Sequence, residues 1–206
     1  MTAAPSSPTS TALKGFADPI HGAQDAFRTC LRAMSRPGMI LALAGPAHVP
    51  APLTAASAAI LLTLADFETQ VWLDPAAQQS EPLVQFLKFN TAAPLTDTPA
   101  DAAFALVTDP TRAPRFECFA QGSLDYPDRS TTLILQVARL HNDGAAFEGP
   151  GIDGTVRLGV EPAPLAFADQ WRENRHRSPC GVDLIFATPT HIAALPRSAR
   201  LKERGA

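Results

Sequence analysis

Ala23, Phe27, Cys30, Leu31 and Met34 recur at the spacing of a single helix face. Gln24, Asp25, Arg28 and Arg32 fall largely outside that stripe. Asp18 is placed to cap the N-terminus, and Pro19 suits the first helical position. Pro37-Gly38 ends the pattern, because proline turns the preceding residue away from the α region and glycine admits the turn. The stretch from Ala23 to Gly38 therefore predicts an amphipathic helix made for docking, with no reactive group of its own.

Beyond it, Met39 to Leu43 is a short apolar run that suits a buried strand. Ala55 to Asp66 reads as a helix, and Ile60, Leu61, Leu62 and Leu64 make it apolar nearly all round, so burial is expected. Thr69 to Leu73 is a strand ended by Asp74-Pro75, and Glu81 to Asn90 returns to helical spacing. Ala102 to Val107 is a buried strand, whereas Phe116 to Asp125 has no readable type. Thr131 to Ala138 is the clearest strand, β-branched and nearly continuous. Gly149-Pro150-Gly151-Ile152 predicts a tight turn, followed by a weaker strand through Val156-Arg157-Leu158. Pro164 to Asn174 suits a helix, Val182 to Ala187 a strong strand, and Ile192 to Leu195 a short last element. Alternating helices and strands, several of the strands apolar on both faces, predict one α/β domain: three layers around a mixed central sheet. Residues 1–14 are expected as a disordered tail, 15–198 as the domain and 199–206 as a polar C-terminal tail.

Composition narrows the classes. The 206 residues are 46% hydrophobic and 18% charged with net charge −3, an ordinary globular balance without the positive field that draws nucleic acid or anionic membranes. No apolar run approaches the roughly 18–20 residues that span a bilayer. The first residues have neither a basic start nor an apolar h-region, so the chain is expected to be cytoplasmic. Cys30, Cys118 and Cys180 are distant and odd in number, which favours reduced, structural thiols.

Known catalytic signatures do not occur. The sequence holds no phosphate-binding P-loop, no dinucleotide fingerprint and no G-x-S-x-G elbow. Pro150 lies where a phosphate-cradling loop would need an N–H. His21, His48, His141, His176 and His191 form no metal-ligand pair, so neither metal nor cofactor is expected. Lys14, Lys88 and Lys202 are the only lysines, and none suits the desolvated pocket of a Schiff-base residue. Asp109, Asp125, Asp128 and Asp183 sit among strand ends and turns and read as structural. Arg172, Arg175, His176 and Arg177 cluster at a helix end, where cations are favoured in any case.

An ordered set of short motifs resembles the PhnH family, a component of the carbon–phosphorus lyase system. It opens with Ala23-Gln24, Phe27-Arg28, Ala33-Met34-Ser35 and Pro37-Gly38. Leu61 to Asp66, Thr69 with Val71-Trp72-Leu73, then Phe89, Thr91 and Ala93-Pro94-Leu95 continue it. Thr132 to Ala138, Gly149, Gly151-Ile152, Gly181-Val182-Asp183-Leu184-Ile185 and Leu195-Pro196-Arg197-Ser198 complete it. Gly22 stands where the family commonly has an aspartate, and Cys180 where an arginine or another residue often precedes the Gly-x-Asp-Leu run.

The resemblance implies one component of a multi-subunit, phosphonate-degrading complex. With subunits G, I and L it would transfer the ribose triphosphate moiety of ATP to an alkylphosphonate, releasing adenine, before a radical subunit J cleaves the carbon–phosphorus bond. It implies a fold similar to pyridoxal-phosphate-dependent transferases without the cofactor site. It also implies self-association as a homodimer and docking with subunits G, I and J. Structural or interface roles fall by the same resemblance to Gln24, Phe27, Arg28, Pro37, Gly38, Gly149, Gly151, Gly181, Asp183, Pro196 and Arg197. The expected role is accessory rather than catalytic alone. Two other readings stand beside it: a self-standing transferase built from dispersed residues such as Arg28, Asp183 and Arg197, and a pyridoxal-phosphate enzyme.

Overall fold

The computed structural model describes residues 13–202. Helix α1 (Pro19–Ser35) starts as expected: the Asp18 carboxylate accepts from the backbone N–H groups of Ile20 and His21 at 3.1 and 3.0 Å. These are two of the donors that a helix start leaves unpaired. Its buried stripe differs from the expected one. Ala26, Cys30 and Ala33 face inward, whereas Phe27 and Leu31 stay 50% and 58% exposed. The helix is turned from the expected seam toward Ala26 and Ala33 by somewhat less than one residue's step of about 100°, with Cys30 common to both stripes. Small residues point inward because α1 lies close against α2 (Ala55–Leu64), itself buried from Ala56 to Leu61.

The main sheet has seven strands in the order β1-β9-β8-β5-β4-β2-β3. These are β1 (Leu41–Ala42), β2 (Val71–Leu73), β3 (Leu95–Thr96), β4 (Phe104–Val107), β5 (Thr132–Gln136), β8 (Asp183–Ala187) and β9 (His191–Leu195). Only β9 runs against the others, so the sheet is mixed, as expected. Two sequence readings change at its edges. Met39 to Leu43 yields only a two-residue edge strand with Met39 exposed, and Leu95–Thr96, read as loop, pairs with β2.

Side-chain alternation splits the core between the two faces of this sheet. Val71, Leu73, Leu106, Ile134 and Ile185 face α1, α2 and α4 (Glu81–Thr91). Trp72, Val107, Leu133, Leu135, Leu184 and Phe186 face the opposite layer. That layer holds α5 (Phe167–His176) and an antiparallel sheet ordered β10-β6-β7, formed by β6 (Arg139–Glu148), β7 (Val156–Glu161) and β10 (Arg200–Leu201). Trp171 of α5 is fully buried there against Phe116 and Phe167.

Strand β6 had no counterpart in the sequence reading, because its residues are polar and half-exposed and lack an apolar alternation. α3 (Pro75–Gln78), a single turn capped by Asp74, is likewise too short to show as a periodic pattern. Helix α5 begins at Phe167, later than Pro164, because Ala166 takes a left-handed conformation at its cap. At the chain ends, the Leu13 carbonyl accepts from Asn90 Nδ2, and positions 1–12 of the expected tail lie outside the described residues. Residues 199–202 of the expected C-terminal tail are structured instead: Ala199 is buried and Arg200–Leu201 pair with Glu148 and Phe147. Positions 203–206 lie outside the described residues.

Candidate functional site

Open α/β sheets bind ligands beyond the C-terminal ends of their parallel strands, where successive connections leave in opposite directions. Here that point lies between β2, which connects to β3 on one side, and β4, which connects to β5 on the other. The crevice is filled by the protein's own hydrogen bonds. The buried Asp74 carboxylate accepts from the Thr108 backbone N–H at 2.6 Å, the Thr108 hydroxyl at 2.7 Å and the Ala77 N–H at 2.9 Å. Two strands away, Gln136 at the end of β5 accepts from the Thr54 N–H at 2.7 Å and donates to the Pro52 carbonyl at 2.8 Å. Both polar groups are thereby committed to holding the α2 and α3 entries onto the sheet. The open space beyond them is a cavity of about 500 Å³ lined by Thr54, Thr108, Asp109, Gln136 and several prolines, with no cation in its wall.

The eleven residues singled out by resemblance separate into two groups. The first is an internal junction. Gly38 donates its N–H to the Ala194 carbonyl at 2.9 Å, which ties the exit of α1 to β9. Gly151 has φ +80°, and a Cβ there would fall 2.3 Å from the Ser35 carbonyl oxygen and 3.0 Å from Pro37 Cδ. A Cβ on Gly149 would meet the Ser198 carbonyl at 2.9 Å, just beyond Pro196 and Arg197. The glycines thus allow the turn after β6 to close against two other backbone segments. Arg197 forms a bidentate pair with Asp183, and its Nη1 also donates to the Pro127 carbonyl. Gly181, at φ +115°, leaves room for Asn174, whose side chain bonds both the N–H and the carbonyl of Val182. Pro37, Gly38, Gly149, Gly151, Gly181, Asp183, Pro196 and Arg197 therefore lie at or beside these backbone junctions.

Gln24, Phe27 and Arg28 form the second group, on the outer face of α1. With Ala23 and Thr63 they line a shallow groove of about 340 Å³, flanked by exposed Leu31 and by Ile20, which is 68% exposed. Arg28 reaches Asp25 at 3.3 Å, an exposed contact that contributes little to stability. Arg28 thus lies on a different surface from Asp183 and Arg197, which are bonded to each other. The three do not converge on a common site.

The other chemical candidates are accounted for locally. His21 Nδ1 lies 2.7 Å from Asp18 Oδ2, and this contact holds the Asp18 carboxyl below its ordinary pKa. Burial pushes the Cys30 thiol up to about 11, which keeps it protonated and unreactive at neutral pH. The basic cluster is divided: Arg172 pairs with Asp169 at 2.9 Å, and Arg177 lies 3.4 Å from Glu117. No group of three or more His, Cys, Asp or Glu side chains among the described residues is arranged to hold a metal ion. Gly22, where an acid was expected, has the Phe16 ring at 2.8 Å from the position of a Cβ, so a larger residue would displace that packing. The hydrogen bonds of Asp74 and Gln136 have little signature in the sequence beyond a lone glutamine closing an apolar strand.

The fold and these surfaces define an α/β protein with a self-satisfied strand-end crevice, a rigid glycine-rich junction and an exposed apolar helix face. Residues 14–202 match the family described as "Bacterial phosphonate metabolism protein (PhnH)", and the chain belongs to that family. It is 39% identical over 188 residues to "Alpha-D-ribose 1-methylphosphonate 5-triphosphate synthase subunit PhnH" of Rhizobium meliloti (strain 1021), covering 91% of this chain and 94% of the relative. It is 29% identical over 191 residues to a provisionally named C-P lyase subunit protein, HtxG, of Stutzerimonas stutzeri, covering 89% of this chain and 87% of that protein.

Proposed function

We propose that the chain is the PhnH component of the α-D-ribose 1-methylphosphonate 5-triphosphate synthase, acting in the cytoplasm in assembly rather than as a catalyst on its own. The observation that carries this reading is the end-to-end likeness to the R. meliloti protein, at 39% identity over 94% of that protein. With subunits G, I and L, the chain supports displacement of the adenine of ATP by an alkylphosphonate. The partners are subunits G, I and J and a second copy of the chain. The outer face of α1, with Gln24, Phe27, Arg28 and Leu31, is the surface proposed for these contacts: exposed apolar residues rimmed by polar ones suit a protein interface.

The central sheet is further proposed to follow the pyridoxal-phosphate transferase fold with the cofactor site given up. In support, Asp74 and Gln136 occupy the strand ends with their own hydrogen bonds, while Lys88 sits exposed on α4 and Lys202 beside β10, both away from that crevice. Residues 15–198, together with the paired stretch 199–202, are proposed as the functional domain. Co-expression with subunits G, I and J, with the affinity tag on subunit I alone, tests the assembly. Recovery of this chain in stoichiometric amount is expected, and recovery of the partners without it overturns the reading.

A further inference from the structure

A cavity of about 870 Å³ opens between α5 and the smaller sheet and is lined by Arg157, Arg172 and Lys202 together with Asp143, Leu201 and residues 144–146. Its volume is within the range of about 300–1,000 Å³ typical of small-molecule sites. The three cations arrive from three separate elements: Arg157 from β7, Arg172 from α5 and Lys202 from the end of β10.

Strand register places two of them in a row. Arg157 pairs with Ala146 of β6, and the Lys202 N–H donates to the Ala146 carbonyl at 2.8 Å from the other side. The small Ala146 side chain thus separates two cationic positions that stand about 9.5 Å apart at ordinary strand spacing. A register shift between His141 and Ala145 bends β6 next to this row, where Gly144 lies so close to Gly159 that a Cβ would fall 2.3 Å from its Cα. Such a bulge re-aims neighbouring groups.

The charges are incompletely met within the protein. Among the described residues Arg157 is in no ion pair, and Lys202 Nζ has only the neutral Thr155 hydroxyl at 3.1 Å. Arg172 shares its charge with exposed Asp169, and Asp143 lies against His141 Nδ1. The two carboxylates offset part of the positive charge, and Arg157 and Lys202 are the cations left without an acidic partner among the described residues.

We infer that this cleft binds a chain of linked phosphoryl groups, the polyphosphate portion of a nucleotide or ribose triphosphate. Guanidinium groups bind phosphoryl oxygens in bidentate fashion, and an ammonium adds a point charge. Cations spread along a row fit an extended polyanion better than one tetrahedral phosphate. The inference rests on the synthase reading only for the natural source of the triphosphate.

Calorimetric titration of the full chain with sodium tripolyphosphate, ATP, AMP and inorganic phosphate tests it. Tripolyphosphate and ATP are expected to bind comparably, and both more tightly than AMP or phosphate. The double variant R157Q/K202Q and the single variant Ala146→Glu, which sets a carboxylate between the two cations, are expected to weaken tripolyphosphate binding by about tenfold or more with unchanged circular dichroism. K88Q, exposed on α4 across the main sheet, is expected to bind as the parent does. Absence of binding by the parent chain, or parental affinity in both cleft variants, overturns the inference. A chain that joins subunits G, I and J yet binds no polyphosphate overturns this inference alone. One that binds polyphosphate yet joins no partner overturns the assembly reading alone.

Discussion

Arg197 and Asp183 meet fork to fork across the β8–β9 hairpin, Nη2 to Oδ2 at 2.5 Å and Nε to Oδ1 at 3.1 Å, with side chains only 18% and 10% exposed. The same Oδ1 accepts from the Arg197 backbone N–H at 2.7 Å. The aspartate therefore fixes both the path of the chain after β9 and the side chain that reaches the Pro127 carbonyl. Removing either partner leaves a largely buried charge without its counterpart, which costs about 3–5 kcal/mol. R197A and D183A are each expected to lower the thermal midpoint by about 10 °C or so, at about 2–4 °C per kcal/mol for this size. R197K is expected to recover little of that, because an ammonium cannot make the fork. A small shift for R197A, or full recovery by R197K, would count against a structural clamp.

Gly151 and Gly154 separate steric from conformational demand in one turn. Both have positive φ, +80° and +69°, but a Cβ on Gly151 strikes the Ser35 backbone, whereas one on Gly154 meets nothing within 4 Å. G154A is expected to cost about 1–2 kcal/mol for the left-handed conformation alone. G151A carries the same cost plus displacement of the α1 exit, so chemical denaturation is expected to rank G151A clearly below G154A. Equal stabilities would contradict the packed junction.

The thiols are graded by burial. Cys118 is exposed, Cys180 half-buried and Cys30 buried with its thiol raised to about 11 from 9.0. Time-resolved labelling with iodoacetamide, read by mass spectrometry, is expected to modify Cys118 first and Cys30 only on unfolding. Because the folded protein holds the Cys30 proton more tightly than the unfolded chain, this contribution to stability is complete below about pH 9 and is lost as pH rises through about 11. A C30A variant is expected to show a shallower decline over that window. Fast labelling of native Cys30 would contradict its burial.

The outer face of α1 presents the opposite case, apolar side chains with no internal partner. Replacing both Phe27 and Leu31 by serine is expected to change stability by about 0.5 kcal/mol or less, as exposed substitutions do. The same change is expected to abolish either self-association, measured by sedimentation, or capture by tagged subunit I. A variant that keeps both would place the assembly surface elsewhere.

Much of the central sheet was readable because β2, β4, β5 and β8 are buried on both faces and appear as continuous apolar runs. The start of α1 was equally legible, since Asp18-Pro19 states both cap and first position. The rotation of α1 was not, because periodicity shows that a helix has an apolar face but not which small residues a neighbour will take. Strand β6 was hidden for another reason: its ladder to β7 and β10 is made by backbone, and its polar side chains face solvent. The cationic cleft depends on that strand, so Arg157 and Lys202 could not be joined from sequence, and only Arg172 of the helix-end cluster contributes to it. The Asp183–Arg197 clamp escaped as a pair because its members are fourteen residues apart and meet only once the hairpin forms.

Adenine release from ATP in the presence of methylphosphonate, assayed with purified subunits G, I and L with and without this chain, tests the proposed role most directly. The account predicts adenine release by the complete set, none by the chain alone, and loss of release when the chain is omitted. Release at the full rate without the chain, or by the chain in isolation, would contradict it.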